Sequence, residues 1–199
     1  MSILLIIVFA LLSVIGLLFL PTTVWGGYLF SFSMYFLALV YALFGFAILN
    51  GKKLKSSAIR ELAFNEAFFA ALTGWGIALI ILGVLFKFQM WPGADQLLII
   101  GNLAVILMVV LDIYLAVKKE DSIKLAKHAI VHGAIALAIG VLVSTMSYDH
   151  VIKFMVKDTK DKKVLIEKYY DWKKSGDMNV KNDFDKLYSD VIKKQRGEE

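Results

Sequence analysis

Five apolar runs, separated by short polar or turn-forming connections, occupy the first three quarters of the chain at roughly 3–20, 24–49, 67–86, 97–117 and 129–146. A helix rising 1.5 Å per residue needs roughly 20 apolar residues to cross a hydrocarbon core about 30 Å thick. Each run fits that template, so five transmembrane helices are expected. The first has the look of a signal peptide, but no positive region precedes it and Pro21-Thr22-Thr23 follows it in place of a small-residue cleavage site. It reads as a retained span. Beyond residue 146 the pattern becomes amphipathic. Leu165, Tyr169 and Trp172 recur at helical spacing, and Phe184, Leu187, Tyr188, Val191 and Ile192 form a second stripe after a Ser175-Gly176 break. The expected architecture is all-α: a polytopic bundle of about five spans over 1–146 and a soluble C-terminal amphipathic helical hairpin over 147–199. The hairpin stripes either pack on each other or dock a partner.

Composition agrees with a membrane protein, because 59% of the 199 residues are hydrophobic and the charges are crowded into a few stretches. Lys52, Lys53, Lys55 and Arg60 separate the second and third runs, and Lys118, Lys119, Lys124 and Lys127 separate the fourth and fifth. The positive-inside rule puts both connections, and with them the N-terminus, in the cytoplasm. The tail then lies outside, although it carries 13 of the 22 basic residues against 11 acidic ones. A multi-pass bacterial inner-membrane location with a periplasmic tail is expected. With no cysteine in the chain, disulfides, thiolate nucleophiles and Cys-based metal sites are excluded.

The runs echo one another. Gly76 to Gly83 in the third is matched by Gly133 to Gly140 in the fifth, and the first offers Gly16-Leu-Leu-Phe. Duplicated hairpins and recurrence of common membrane residues both account for this. Only Asp112 and His132 are ionisable within the runs, each about one helical turn from the expected cytoplasmic face. His128 stands one turn before His132, and Glu66 opens the third run at a similar level, so an intramembrane cluster of Asp112, His132, His128 and Glu66 is a candidate site. Asp112 needs a partner, a proton or interfacial water, and His132 is the expected partner. Such a pair fixes helix register or relays protons. No metal and no cofactor are expected, since His128 and His132 have no further soft ligand at hand. No phosphate-binding loop, dinucleotide fingerprint or nucleophile elbow occurs. The tail's alternating charges give no nucleic-acid footprint.

From Thr73 the chain reads TGWGIALIILGVLFKFQMWPGADQLLIIG, two apolar runs joined by Lys87 and the interfacial turn Trp91-Pro92-Gly93. This stretch, residues 73–117, resembles the N-terminal hairpin of the GldL gliding-motility stator family, with Gly74, Gly76, Gly83, Lys87 and Gly101 as the matching positions. The resemblance implies a Bacteroidota inner-membrane protein that pairs with a single-span partner in gliding and type IX secretion. Where the family has a tyrosine, a histidine and a second-helix glutamate, this chain has Thr73, Met90 and Val105. Lys87 itself reads as an interfacial ammonium reaching for the headgroups, a salt-bridge donor to a partner, or part of an ion path.

The expected function is a non-enzymatic membrane subunit whose GldL-like hairpin assembles in the lipid bilayer with a membrane-protein partner or as a homo-oligomer, its tail offering a docking face to an envelope protein. The alternative is a proton-coupled stator or transporter using Asp112 and His132.

Overall fold

The computed structural model describes residues 2–50, 64–118 and 123–197, and those residues form eight helices and no strand. They are α1 (Ser2–Phe19), α2 (Val24–Ile48), α3 (Phe64–Phe88), α4 (Ala94–Lys118), α5 (Ile123–Thr145), α6 (Tyr148–Met155), α7 (Thr159–Ser175) and α8 (Met178–Arg196). Four segments are long and apolar enough to cross a membrane: Val24–Ile48, Ala67–Phe88, Ala94–Tyr114 and Lys127–Thr145. The first expected span is a shorter apolar helix, Leu4–Phe19. The 18 residues of α1 extend about 27 Å, which is marginal for a hydrocarbon core about 30 Å thick. Most of the basic residues used for orientation, Lys52 to Arg60 and Lys119, lie outside the described residues.

The chain divides into two compact units. The first comprises Met1–Ser13 and Ser31–Thr145. Within it α3 packs against both α4 and α5, and α4 packs against α5. The early part of α1 meets α2 through a stacked Phe9–Phe36 pair with ring centroids 4.1 Å apart and a 2.9 Å hydrogen bond from Ser13 Oγ to Ser33 Oγ. Helix α2 reaches α3 where Gly45 faces Gly74, and Trp75 Nε1 donates to the Ala42 carbonyl at 2.9 Å. With lipid tails as apolar as leucine, no hydrophobic drive joins membrane helices. Close backbone approach and such polar contacts hold them together.

The second unit comprises Val14–Phe30 and Met146–Glu199. Its helical part has three helices where two were expected. The eight-residue α6 buries Val151, Ile152 and Met155, a stripe too short to stand out beside the apolar run before it. Helices α7 and α8 form the expected hairpin, breaking at Gly176, which caps α7 with φ 67°. Tyr169, Trp172, Phe184 and Tyr188 make its aromatic core, with Leu165, Val191 and Ile192 also buried. Asp158 and Asp177 supply the N-caps, accepting from backbone amides at 2.7–3.2 Å and 2.8 Å respectively.

Candidate functional site in the glycine-notched hairpin

Gly76 and Gly83 of α3 and Gly133 and Gly140 of α5 open toward the helix between them. A methyl group placed on Gly76 would lie 2.8 Å from Val105 Cγ2, and one on Gly133 would lie 3.3 Å from Val105 Cγ1. One level toward the α3–α4 turn, Gly83 abuts Leu98 and Gly140 abuts Asn102. The matched seven-residue spacing in α3 and α5 is therefore one device used twice. Two helical turns separate the notches, and α4 fills both pairs. Gly101 completes the interface from α4, since its added methyl would sit 2.8 Å from the backbone nitrogen of Ile80. Val105, with no exposed surface, lies at the centre where all three helices meet.

Polar groups mark three levels along α4. At the turn end, Lys87 Nζ lies 2.6 Å from Asp95 Oδ1, and the lysine side chain is only 3% exposed. Of the roles open to Lys87, the structure shows an ion pair, made with an acid of the same hairpin. The connection is so short that α4 starts at Ala94, and Asp95, in its first turn, meets the end of α3 before the lysine needs water. An acid is also favoured at that position by the helix dipole. Gly93 takes φ 86°, as the turn requires, but Met90 takes φ 57° as well. Met90 closes α3 in the left-handed conformation, with the Trp91 amide reaching back 2.8 Å to the Phe86 carbonyl. The Trp91 ring stands edge-on to Phe86 at 5.0 Å. Gln89 Nε2 donates to Ser31 Oγ on α2 at 2.5 Å, tying this end to a further helix.

Midway, Asn102 Nδ2 donates to Ser144 Oγ at 3.2 Å, and that hydroxyl donates on to the Gly140 carbonyl at 2.7 Å. At the far end, about 25 Å along α4 from Asp95, the expected cluster is arranged differently from the sequence reading. His132 Nδ1 meets the Tyr41 hydroxyl at 2.5 Å, and the rings lie edge to face. Among the described residues no hydrogen bond joins Asp112 to His132, and Asp112 Oδ2 is buried without a hydrogen-bond partner. His128 is half-buried one turn before His132. The Glu66 side chain lies outside the described residues. No three His, Asp or Glu side chains among the described residues are grouped to hold a metal ion.

Of this arrangement, the hairpin of α3 and α4, with a lysine at the end of its first arm, is the part that has a counterpart among known families. Residues 72–120 match the GldL N-terminal domain. The match covers 49 of the 199 residues, all of it α3, the turn, α4 and the start of the next connection. Comparison with curated proteins and with solved structures finds no match to the chain. Within the GldL-like hairpin, the three positions set apart in the sequence hold Thr73, Met90 and Val105. Thr73 is fully buried and donates to its own helix at the Phe69 carbonyl, 3.0 Å away. Met90 is buried in the turn, and Val105 is the sealed centre.

Asp95, Tyr41, Asn102 and Ser144 were not singled out from the sequence. Asp95 had a usable signal as the first acid after the turn. Asn102 was visible as a lone amide in an apolar run. Tyr41 was one tyrosine among several, and its partner lies 91 residues away.

Proposed function

We propose that the chain is a non-enzymatic inner-membrane subunit whose GldL-like hairpin serves as an assembly module, joining other envelope membrane proteins linked to secretion or gliding. The observation that carries this reading is Val105, a valine with no exposed surface where both notched helices close, at the position where the resemblance implies a glutamate. A hydrocarbon side chain packs there and cannot carry a proton. Lys87, the family-matched cation, is neutralised inside the hairpin by Asp95. Together they make the hairpin a packing element held by its own ion pair. The basic connections at 52–60 and 118–127 support a cytoplasmic N-terminus and a periplasmic tail. Affinity extraction of the tagged chain in mild detergent, followed by native mass spectrometry, tests the proposal. A stoichiometric membrane partner or a defined homo-oligomer is expected, and a bare monomer with no companion rejects it.

A second reading, proton coupling through Asp112 and His132, draws its support from the buried, unpartnered Oδ2 of Asp112. Under it, Asp112→Asn abolishes proton uptake by proteoliposomes while preserving the fold. Equal uptake by the two proteins removes it.

A further inference from the structure

Helix α1 has no basic residue in its last turn, so nothing of its own complements the negative end of its dipole. The carbonyls at its end and just beyond it are also unequally served. The Phe19 carbonyl accepts from the amides of Thr22 and Thr23 and from both of their hydroxyls. Those of Leu20 and Pro21 receive their donors from far along the chain. Arg196 Nη2 donates to the Leu20 carbonyl at 2.7 Å, and Gln195 Nε2 donates to that of Pro21. Gln195 is simultaneously bound on two more sides, donating to the Met155 carbonyl at 3.1 Å and accepting from the Lys157 amide at 2.7 Å. One side chain thus gathers the end of α1, the end of α6 and the strand of chain entering α7. Beside it, the Arg196 guanidinium passes Gly27, where an added methyl would lie 3.5 Å from Nη2.

We propose that the end of α8 is an intramolecular latch: Gln195 and Arg196 cap α1 in place of its missing C-terminal cation and hold the α1–α2 turn closed. The tail then does more than offer a docking face, because this part of its surface is already occupied by the chain itself. The arrangement requires the turn and the tail to share one side of the membrane. Among the described residues four helices long enough to cross lie between them, an even number, which returns the chain to the side it left. The requirement holds whichever side that is, and it stands independently of what the hairpin assembles with.

The absence of native cysteine makes the latch directly testable in the full-length chain in its own membrane. Thr22→Cys and Lys194→Cys, introduced together with Gln195 and Arg196 left intact, are expected to be joined within one chain by a short bismaleimide. The join is read as two fragments that stay together after proteolysis between the sites. Separately, Thr22→Cys is expected to react with a hydrophilic maleimide roughly fivefold or more faster when Gln195→Ala and Arg196→Ala are added, the loss of about one or two net hydrogen bonds. Absence of the intrachain join, or equal reaction rates with and without Gln195 and Arg196, overturns the latch. The first measurement needs no alteration of the latch residues, so a folding defect in the alanine variant does not decide the question.

Discussion

Lys87 and Asp95 face each other across the Trp91-Pro92-Gly93 turn, Nζ to Oδ1 2.6 Å, with the lysine side chain 3% exposed and the aspartate 46% exposed. The pair makes the turn an electrostatically closed end of the hairpin. Removing one member leaves the other as the problem. Asp95→Asn is expected to cost roughly 2–4 kcal/mol, the low side of a broken buried pair because the carboxylate is half exposed. Replacing both, Lys87→Met with Asp95→Leu, recovers most of that loss. Thermal unfolding in one detergent, arranged as a double-mutant cycle, checks both statements.

The glycine notches carry a steric prediction. In Gly101→Ala the new methyl would meet the Ile80 backbone nitrogen at 2.8 Å and the Gly76 carbonyl oxygen at 3.1 Å, and backbone cannot step aside as a side-chain tip does. Overpacking of this kind costs about 1–3 kcal/mol. Gly176→Ala meets no neighbour within 4 Å and loses only its left-handed backbone freedom at φ 67°. The hairpin variant is expected to lower the melting temperature of the membrane helices, and the tail variant to leave it unchanged. Helix-specific hydrogen exchange distinguishes the two.

Tyr41 and His132 are expected to behave as a coupled pair. Tyr41→Phe leaves His132 Nδ1 without its partner in a low-dielectric setting, an effect of roughly 1–3 kcal/mol. If the two groups act together, Tyr41→Phe and His132→Phe will be less than additive, and additive losses in the same unfolding assay would contradict the contact.

The tail should lose stability at both extremes of pH. The Asp158 carboxyl is held below its ordinary value of 3.8 by the backbone amides of Asp161 and Lys160. Its stabilisation is therefore present above that ordinary value and is lost as pH falls through the lowered one. Burial pushes the Tyr188 hydroxyl above its ordinary value of 10.0, with the Arg196 charge opposing weakly. What Tyr188 contributes is complete below the ordinary value and drains away as pH climbs toward the raised one. The protection of α7 amides, relative to their intrinsic exchange rate at each pH, is expected to fall in acid, and that of α8 amides in alkali. Asp158→Asn should flatten the acid limb alone.

Sequence and structure agree where local pattern decides the outcome. Apolar runs of helix-spanning length fixed α2 to α5, and the Ser175-Gly176 break fixed the tail hairpin, because both signals lie within a few residues of what they determine. The GldL resemblance was legible for the same reason, being written in glycine spacing. What escaped depends on residues far apart in the chain. His132 was matched with Asp112 by depth, but helix rotation about the bundle brings Tyr41 to it instead. Lys87 was read from its position at a helix end, whereas its burial depends on how tightly the next helix turns back. Nothing near Gln195 or Arg196 hints at Pro21 or Leu20.

The distance in sequence between those last partners has a consequence for how the protein is made. Gln195 follows Pro21 by 174 residues. At bacterial or eukaryotic synthesis rates of about 5–20 residues per second, that is roughly ten to thirty-five seconds of translation. Throughout that interval α1 has been made, and for most of it α2 as well, while the donors for Leu20 and Pro21 do not yet exist. An insertion machinery that holds nascent helices, or water at the headgroups, must serve those carbonyls in the meantime, and the N-terminal helices reach their final form only after every span between has been threaded.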